Sequence, residues 1–308
     1  MAERPPLRSR LHRGDGVLIE PGRGDRTVGA ILGGAAGALA GRPNVELRFG
    51  DALKLDLEEV APGATKLVAN LPYNVATPLI AESLDRLDRS PWIDAIVVAT
   101  VSHLLQTPAV ATAIAHELGT NKAAAFDISA ACAGFCHGVA MASDFVRAGS
   151  AGHVLVIGVE RLSDLTDVGD RGTAFIFADG AGAAIVGPSD TPGIGPVVWG
   201  SDGEQFDLIR QKEDWRDVVG TPAVPGSGVM PHLTMQGNPV FRWASFAMAK
   251  IGQQALDRAG ITLEDLDVFV PHQANMRIID AMARSMKLPA KVKIARDIAD
   301  QGNTSAAS

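Results

Sequence analysis

The sequence predicts a layered α/β protein, and three observations carry that prediction. From about residue 93 onward, short apolar runs alternate with amphipathic stretches of helical period. Glycine is abundant (33 of 308 residues) and alanine likewise, as in a closely packed interior. Aromatic residues make up only 5% of the chain, with a single tyrosine, which fits α/β layers better than a β-sandwich. Apolar residues at 46% and charged residues at 20% exclude wholesale disorder. The net charge of −7 disfavours a nucleic-acid binder that relies on overall basicity. Two cysteines exclude a disulfide scaffold and a Cys-rich zinc module. No apolar run reaches the ~18 residues a membrane span needs.

Taken in order, the chain opens with Arg4, Arg8, Arg10 and Arg13 and no apolar stretch behind them, so it reads as a solvated terminus without a secretory signal. Residues 17–20 are a short strand running into Pro21-Gly22-Arg23-Gly24, the strand and Gly-rich turn that begin a nucleotide-binding α/β unit. Residues 28–40 are apolar and small, too short for a bilayer, and weakened as a helix by Gly29, Gly33, Gly34 and Gly37. Strands follow at 45–49 and 66–69, then a helix at 78–87. The polar, proline-containing DRSPW at 88–92 marks a boundary, dividing the chain into 1–92 and 93–308.

Past the boundary, 93–100 (IDAIVVAT) is a strand buried on both faces. A helix at 109–118 stops at Gly119, a strand at 123–129 runs towards Cys132, a helix at 134–148 ends at Gly149, and 153–158 is a strand. Residues 174–177 and 182–187 flank Asp179-Gly180, a hairpin signal. Residues 202–237, with Pro222, Pro225 and Pro231, read as a long surface excursion. A helix at 240–259 ends at Gly260, and strand 268–271, helix 276–286 and strand 292–295 follow.

Three residues with chemistry lie just beyond strands. Cys132 opens a helix, where the positive end of the macrodipole favours thiolate, and its neighbours Ala130, Ala131, Ala133 and Gly134 are small enough to admit a substrate. Cys136, four residues on, reads as structural. His272 stands at the end of strand 268–271 in PHQAN, and Asn303 in GNTSAAS after strand 292–295. Polar groups at strand ends of an α/β sheet are well placed for a site.

The motifs DISAACAGF (127–135), DRGTAFIFADGAGAA (170–184), GNPVFRWA (237–244), VPHQANMRIID (270–280) and GNTSAAS (302–308), in this order, resemble the 3-oxoacyl-ACP synthase III family, and the resemblance runs from about 93 to 308. It implies a thiolase-like fold of αβαβα layers and a homodimer. It also implies that Cys132 takes an acyl group from acyl-CoA, and that His272 and Asn303 stabilise the enolate formed when malonyl-ACP loses CO2. No cofactor is required; the coenzyme A thioester is a substrate. The same resemblance puts Arg171 and Gly172 at the CoA nucleotide and Asn238 and Asn275 along the pantetheine channel. Arg242, Arg277 and Arg284 would form a basic face for the acyl carrier protein. Thr107 would cap the acyl pocket, small enough to leave room for longer or branched primers.

Residues 1–92 do not share that resemblance. GDAL (50–53) and VANLPYNVATPL (68–79) resemble small-subunit rRNA adenine dimethyltransferases, which implies a partial Rossmann-like segment. There Asp51 would meet the adenine of S-adenosylmethionine, while Asn70, Pro72 and Tyr73 would hold the target base. The Gly-rich turn is one residue short, no carboxylate follows in 28–40, and the RNA-binding portion is absent, so the expectation is a remnant that does not methylate RNA. The synthase part is expected to lack the family's opening strands before 93 and its closing strand after 308, so that the chain reads as two spliced fragments. The rival readings are therefore a methyltransferase remnant and an inactive binding or fusion protein. The expected location is cytoplasmic, with acyl-CoA and carrier protein as partners and no membrane.

Overall fold

The computed structural model describes residues 92–308 except 121, 192 and 215–230, and ahead of these the backbone of four strands. The chain divides into two compact units, Met1–Arg86 and Leu87–Ser308.

The first unit contains β1 (Gly16–Pro21), β2 (Thr27–Ile31), β3 (Val45–Arg48) and β4 (Ala64–Asn70), in the sheet order β3-β2-β1-β4. β1 runs antiparallel to both β2 and β4, and β2 runs parallel to β3. This corrects the Rossmann-like expectation. A nucleotide crevice of that kind forms outside the carboxyl ends of parallel strands, and antiparallel neighbours send those ends to opposite edges. Asn70 closes β4 opposite Gly16, whereas Asp51, Pro72 and Tyr73 lie outside the described residues.

The second unit is built on a sheet of β5 (Ala95–Ala99), β6 (Ala124–Ile128), β7 (Val154–Arg161) and β8 (Asp179–Val186), in the order β6-β5-β7-β8. β5 is parallel to β6 and β7, and β8 closes the sheet antiparallel to β7. The centre is apolar throughout, with Ile96, Val97, Val98, Val154 and Val156 all 0% exposed, as a strand pair covered on both faces requires. Helix α1 (Val110–Glu117) has no cap from its own Ala109. Asp127 on β6 supplies one instead, accepting the Val110 and Ala111 N–H groups at 2.8 and 2.9 Å. Helix α2 (Gly134–Ala148) lies over the sheet, with Ala142 in the same apolar cluster as Val97, Val154 and Val156. It stops where Gly149 turns left-handed at φ 74°.

The expected hairpin at Asp179-Gly180 is not formed. Both residues belong to β8 and pair with Arg161 and Glu160 of β7. Glycine is needed at 180 for close approach rather than for a turn, because a Cβ there would lie 2.7 Å from Thr304 Cγ2.

Beyond β8, the expected excursion carries a short antiparallel pair, β9 (Ile209–Gln211) with β10 (Leu233–Met235). Helices α3 (Gly237–Ala259) and α4 (Met276–Met286) share an apolar seam of Ala244, Ile278 and Met282, against which Phe269 packs. Phe269 belongs to β11 (Val268–Phe269), which runs parallel to β12 (Lys293–Ile294). A short helix, α5 (Ile298–Gln301), leads into the last turn, Ser305–Ala307. That turn is seated against β7, where a Cβ on Gly158 would run into the Ala306 carbonyl oxygen.

Candidate active site

Three loops deliver the three predicted residues. Cys132 lies in the turn Ala131–Ala133 between β6 and α2. His272 follows β11, and Asn303 lies between α5 and the last turn. At Ala131 and Ser305 the backbone enters the left-handed region, φ 44° and 50°, at a cost of about 1–3 kcal/mol each. The small residues around the two turns let them meet. A Cβ on Gly134 would lie 2.8 Å from the Ala99 Cβ and 3.2 Å from the Ala306 Cβ.

The protonation of Cys132 and His272 is mutual. Burial pushes the Cys132 thiol up, but hydrogen bonding to His272, the charge of His272 and a hydrogen bond with Ser305 together hold it below the ordinary thiol value. Burial pushes the His272 imidazole down, and the Cys132 sulfur and the Ser308 backbone more than reverse this, so His272 is held above its ordinary value. Both directions favour a thiolate–imidazolium pair. The imidazole is oriented from behind by Ser308, whose carbonyl oxygen and hydroxyl lie 3.4 and 3.3 Å from Nδ1. The other ring nitrogen, Nε2, is buried without a partner at full hydrogen-bond geometry.

Asn303 is 5% exposed. Its Oδ1 accepts the Ser305 N–H at 2.9 Å, and its Nδ2 donates to the Ala274 carbonyl at 3.3 Å, two residues beyond His272. Its backbone is pinned at both ends: Asn303 N–H donates to the Ile176 carbonyl and its own carbonyl accepts from Ala178 N–H, each at 2.9 Å. The structure thus brings Cys132, His272 and Asn303 to one place through Ser305, Ser308 and Ala274.

Sequence reasoning missed Glu160, the one carboxylate inside the apolar strand β7 and 0% exposed. The signal was available, since a charge in a run such as VLVIGVE demands partners. Its Oε2 accepts from Ser102 Oγ at 2.7 Å, Val101 N at 3.0 Å, Ser102 N at 3.1 Å and Thr100 Oγ1 at 3.2 Å. Its Oε1 is buried with no partner at full hydrogen-bond geometry. Ser305 and Ser308 were also overlooked, although both lie in the GNTSAAS motif.

Of the remaining predicted residues, all but the half-buried Asn275 lie on the outside of the unit. Arg171, Gly172, Asn238, Arg242, Arg277 and Arg284 are exposed. Gly172 donates its N–H to Asp170 Oδ1 at 2.8 Å, in a turn that also binds Thr173. Asn275 serves as the N-cap of α4, accepting Arg277 N–H at 2.9 Å. Thr107 is exposed in a loop that also presents Leu104 and Leu105. Cys136 is exposed rather than packed inside. Among the described residues no cluster of His, Cys, Asp and Glu could hold a metal ion, and no helix is long and apolar enough to cross a membrane.

An α/β sheet with a thiol, an imidazole and a carboxamide gathered beside it belongs to a thiolase-like α/β fold, as the solved structures that resemble it show. The family model for 3-oxoacyl-[acyl-carrier-protein] synthase III matches residues 126–203, and that for its C-terminal part matches 256–308. A Streptomyces coelicolor relative, beta-ketoacyl-[acyl-carrier-protein] synthase III 1, is 60% identical over 222 residues, which cover 70% of this chain and 65% of the relative. A Mycobacterium avium relative, mycobacterial beta-ketoacyl-[acyl-carrier-protein] synthase III, is 53% identical over 216 residues, covering 70% and 63%. Among solved structures, the priming beta-ketosynthase of the R1128 polyketide pathway aligns with TM-score 0.71 at 45% identity, covering 76% of this chain and 69% of that one. The Aquifex aeolicus 3-oxoacyl-[acyl-carrier-protein] synthase III aligns with TM-score 0.66 at 33% identity, covering 76% and 71%. The chain belongs to the 3-oxoacyl-ACP synthase III family, and it spans 65% of the length of the Streptomyces coelicolor relative.

Proposed function

We propose that the chain carries the chemistry of its family: it takes an acyl group from acyl-CoA and condenses it with malonyl-ACP, giving 3-oxoacyl-ACP, CO2 and CoA. The observation that carries this reading is the convergence of Cys132, His272 and Asn303 from three distant segments, with the thiol held below its ordinary value and the imidazole above it, as a nucleophilic cysteine requires. In the first step the Cys132 thiolate attacks the thioester carbonyl. The bond to the CoA sulfur breaks, and His272 gives its proton to the departing CoA thiolate. In the second step the malonyl C–C bond breaks to release CO2 and leave an enolate. The enolate carbon bonds to the acyl carbon, and Cys132 leaves as thiolate. One proton from solvent, taken up by His272 once CoA has left, restores its Nε2–H before the enolate forms and closes the balance.

The enolate oxygen needs donors in a dry setting, where each is worth far more than in water. The unpartnered, buried Nε2 of His272 suits that role. Asn303 has a second amide N–H beyond the one given to Ala274, and we assign it to the same oxygen. No step needs a metal or a redox cofactor. We further assign Arg171 and Gly172 to the CoA nucleotide, Asn238 and Asn275 to pantetheine, and Arg242, Arg277 and Arg284 to the acidic carrier protein. The exposure of Arg171, Gly172, Asn238, Arg242, Arg277 and Arg284 on one unit supports these assignments. Thr107 would border the acyl pocket, where its small side chain admits longer or branched primers. We place the reaction in the cytoplasm and in a homodimer, a reading favoured by β6 standing at the edge of its sheet, an edge another chain can pair with.

Intact-protein mass spectrometry after incubation with a panel of acyl-CoAs tests the first half-reaction. The expected result is an acyl-sized mass gain that is absent from Cys132→Ala. A folded protein with no gain from any acyl-CoA would overturn the proposal.

A further inference from the structure

The reaction as written uses His272 and Asn303 but not Gln273, the next residue after His272, which is 2% exposed. Its carboxamide makes three hydrogen bonds, and all three go to backbone. Nε2 donates to the Pro271 carbonyl at 2.8 Å and to the Ala295 carbonyl at 3.3 Å, and Oε1 accepts the Ile298 N–H at 3.2 Å. These partners settle which way the amide faces. Turning it over would set its oxygen against two carbonyls and its N–H groups against another N–H. Ile298 opens α5, and its N–H needs an acceptor from elsewhere because Asp297 supplies no side-chain cap. Gln273 is that acceptor.

The three bonds join the loop that carries His272 to the segment that leads into Asn303. Asn303 closes the same circuit from the other side. Its Nδ2 donates to the Ala274 carbonyl at 3.3 Å, and its backbone is held to Ile176 and Ala178 at 2.9 Å each. The imidazole itself is steadied by longer contacts, to Ser308 at 3.3 and 3.4 Å. We propose that Gln273 is a positioning residue that sets His272 relative to Asn303, so that both donors reach the one enolate oxygen. The two half-reactions feel a displaced His272 differently. Its charge acts on the Cys132 thiol over a range, because Coulomb energy falls only as the inverse of distance. Donors to an oxyanion must stand about 2.7–3.1 Å from it, and a misplacement of about 1 Å can cost on the order of 100-fold. Loss of Gln273 therefore falls more heavily on decarboxylation than on acylation.

The inference rests on the reading of His272 and Asn303 as the enolate donors. It is tested with Gln273→Met, which keeps the length of the side chain and removes its three hydrogen bonds. Arg296→Ala is the control, because Arg296 ties the same segment to α4 at the surface, through Met276 Sδ at 2.7 Å and Asp280 at 2.8 Å. Acylation of Cys132 is timed by intact mass, and CO2 release by the acylated protein is timed in saturating malonyl-ACP. In Gln273→Met, CO2 release should slow on the order of 100-fold while acylation slows only a few fold. Equal slowing of both steps would mark a smaller folded fraction, and unslowed CO2 release would mark a bystander. Either overturns the proposal, as does the same split in Arg296→Ala. Should Gln273→Met fail to melt cooperatively, Gln273→Asn, one methylene shorter, is measured in its place against the same outcomes. Amide hydrogen exchange needs no substrate and separates this inference from the reading beneath it. The Ile298 and Ala274 N–H groups should exchange faster in the variant, while that of Asn303, held by Ile176, stays protected. That pattern in a protein that releases no CO2 from malonyl-ACP would leave the positioning of His272 standing and remove the enolate reading. An Ile298 N–H that stays protected ends the proposal.

Discussion

Cys132 and Cys136 stand four residues apart, yet the fold treats them in opposite ways. Cys132 is on the turn before α2, beside His272 and Ser305, and its thiol is held below the ordinary value. Cys136 is on the first turns of α2; it is exposed by area, and desolvation by the protein around its sulfur holds that thiol above the ordinary value. Residue type and distance from the helix N-terminus do not separate them well. What separates them is the pair of distant loops, 270–275 and 303–308, that reach the first and not the second. The depressed thiol is a property of three segments that are far apart in sequence.

The largest expected effect tests that contrast directly. Cys132→Ala should abolish the acyl adduct completely, while Cys136→Ala should leave it intact; an adduct that follows Cys136 would reverse the comparison. His272→Gln comes next. The thiolate is the reactive form, so a depressed thiol pKa keeps alkylation fast below the ordinary thiol range, and the rate is lost as pH falls through the folded midpoint. Glutamine cannot carry the balancing charge, and burial then acts on Cys132 unopposed. Alkylation of Cys132 at neutral pH should slow on the order of tenfold or more, with its profile moved towards alkali and that of Cys136 unchanged. Equal slowing at both cysteines would point to a general loss of structure.

Much of this contrast was legible in the sequence. Cys132 and His272 each follow a strand, Asn303 follows the short helix α5 that comes after β12, and the motifs of all three are local. Helices α2 and α4 were read with their observed ends, α2 from the glycine that closes it. The misreadings have a common physical cause. At Asp179-Gly180 a turn signal was taken at face value, but that glycine answers to Thr304, more than a hundred residues away. Glu160 was passed over because its hydrogen-bond partners are residues 100–102, none of which is near it in the chain. In the first unit, the strands at 17–20, 45–49 and 66–69 were found, but strand direction comes from pairing and not from composition, so the antiparallel order of β1 with β2 and β4 was not visible.

The loop that makes Cys132 different can also be disturbed without replacing any polar side chain. Gly158 lies under the Ala306 carbonyl, and a methyl there has no room. Gly158→Ala should cost about 2 kcal/mol by overpacking, read as a lowered urea midpoint. It should also push the alkylation profile of Cys132 towards that of Cys136, because the 303–308 turn would be displaced. A stability loss with an unchanged Cys132 profile would show that the turn tolerates displacement.

The smallest effect concerns β6, the strand that delivers Cys132. Asp127 leaves the sheet sideways to cap α1, holding two helix N–H groups at 2.8 and 2.9 Å. Asp127→Ala should therefore cost about 1 kcal/mol, the usual worth of an N-cap, and should be visible in the melting temperature. The cap acts on α1, whereas the turn that carries Cys132 is held by the 303–308 segment and by Gly134 against Ala99. The two alkylation profiles should stay as far apart as in the unmodified chain. If they converge, β6 transmits strain to the turn, and the difference between the cysteines depends on the edge of the sheet as well as on His272 and Ser305.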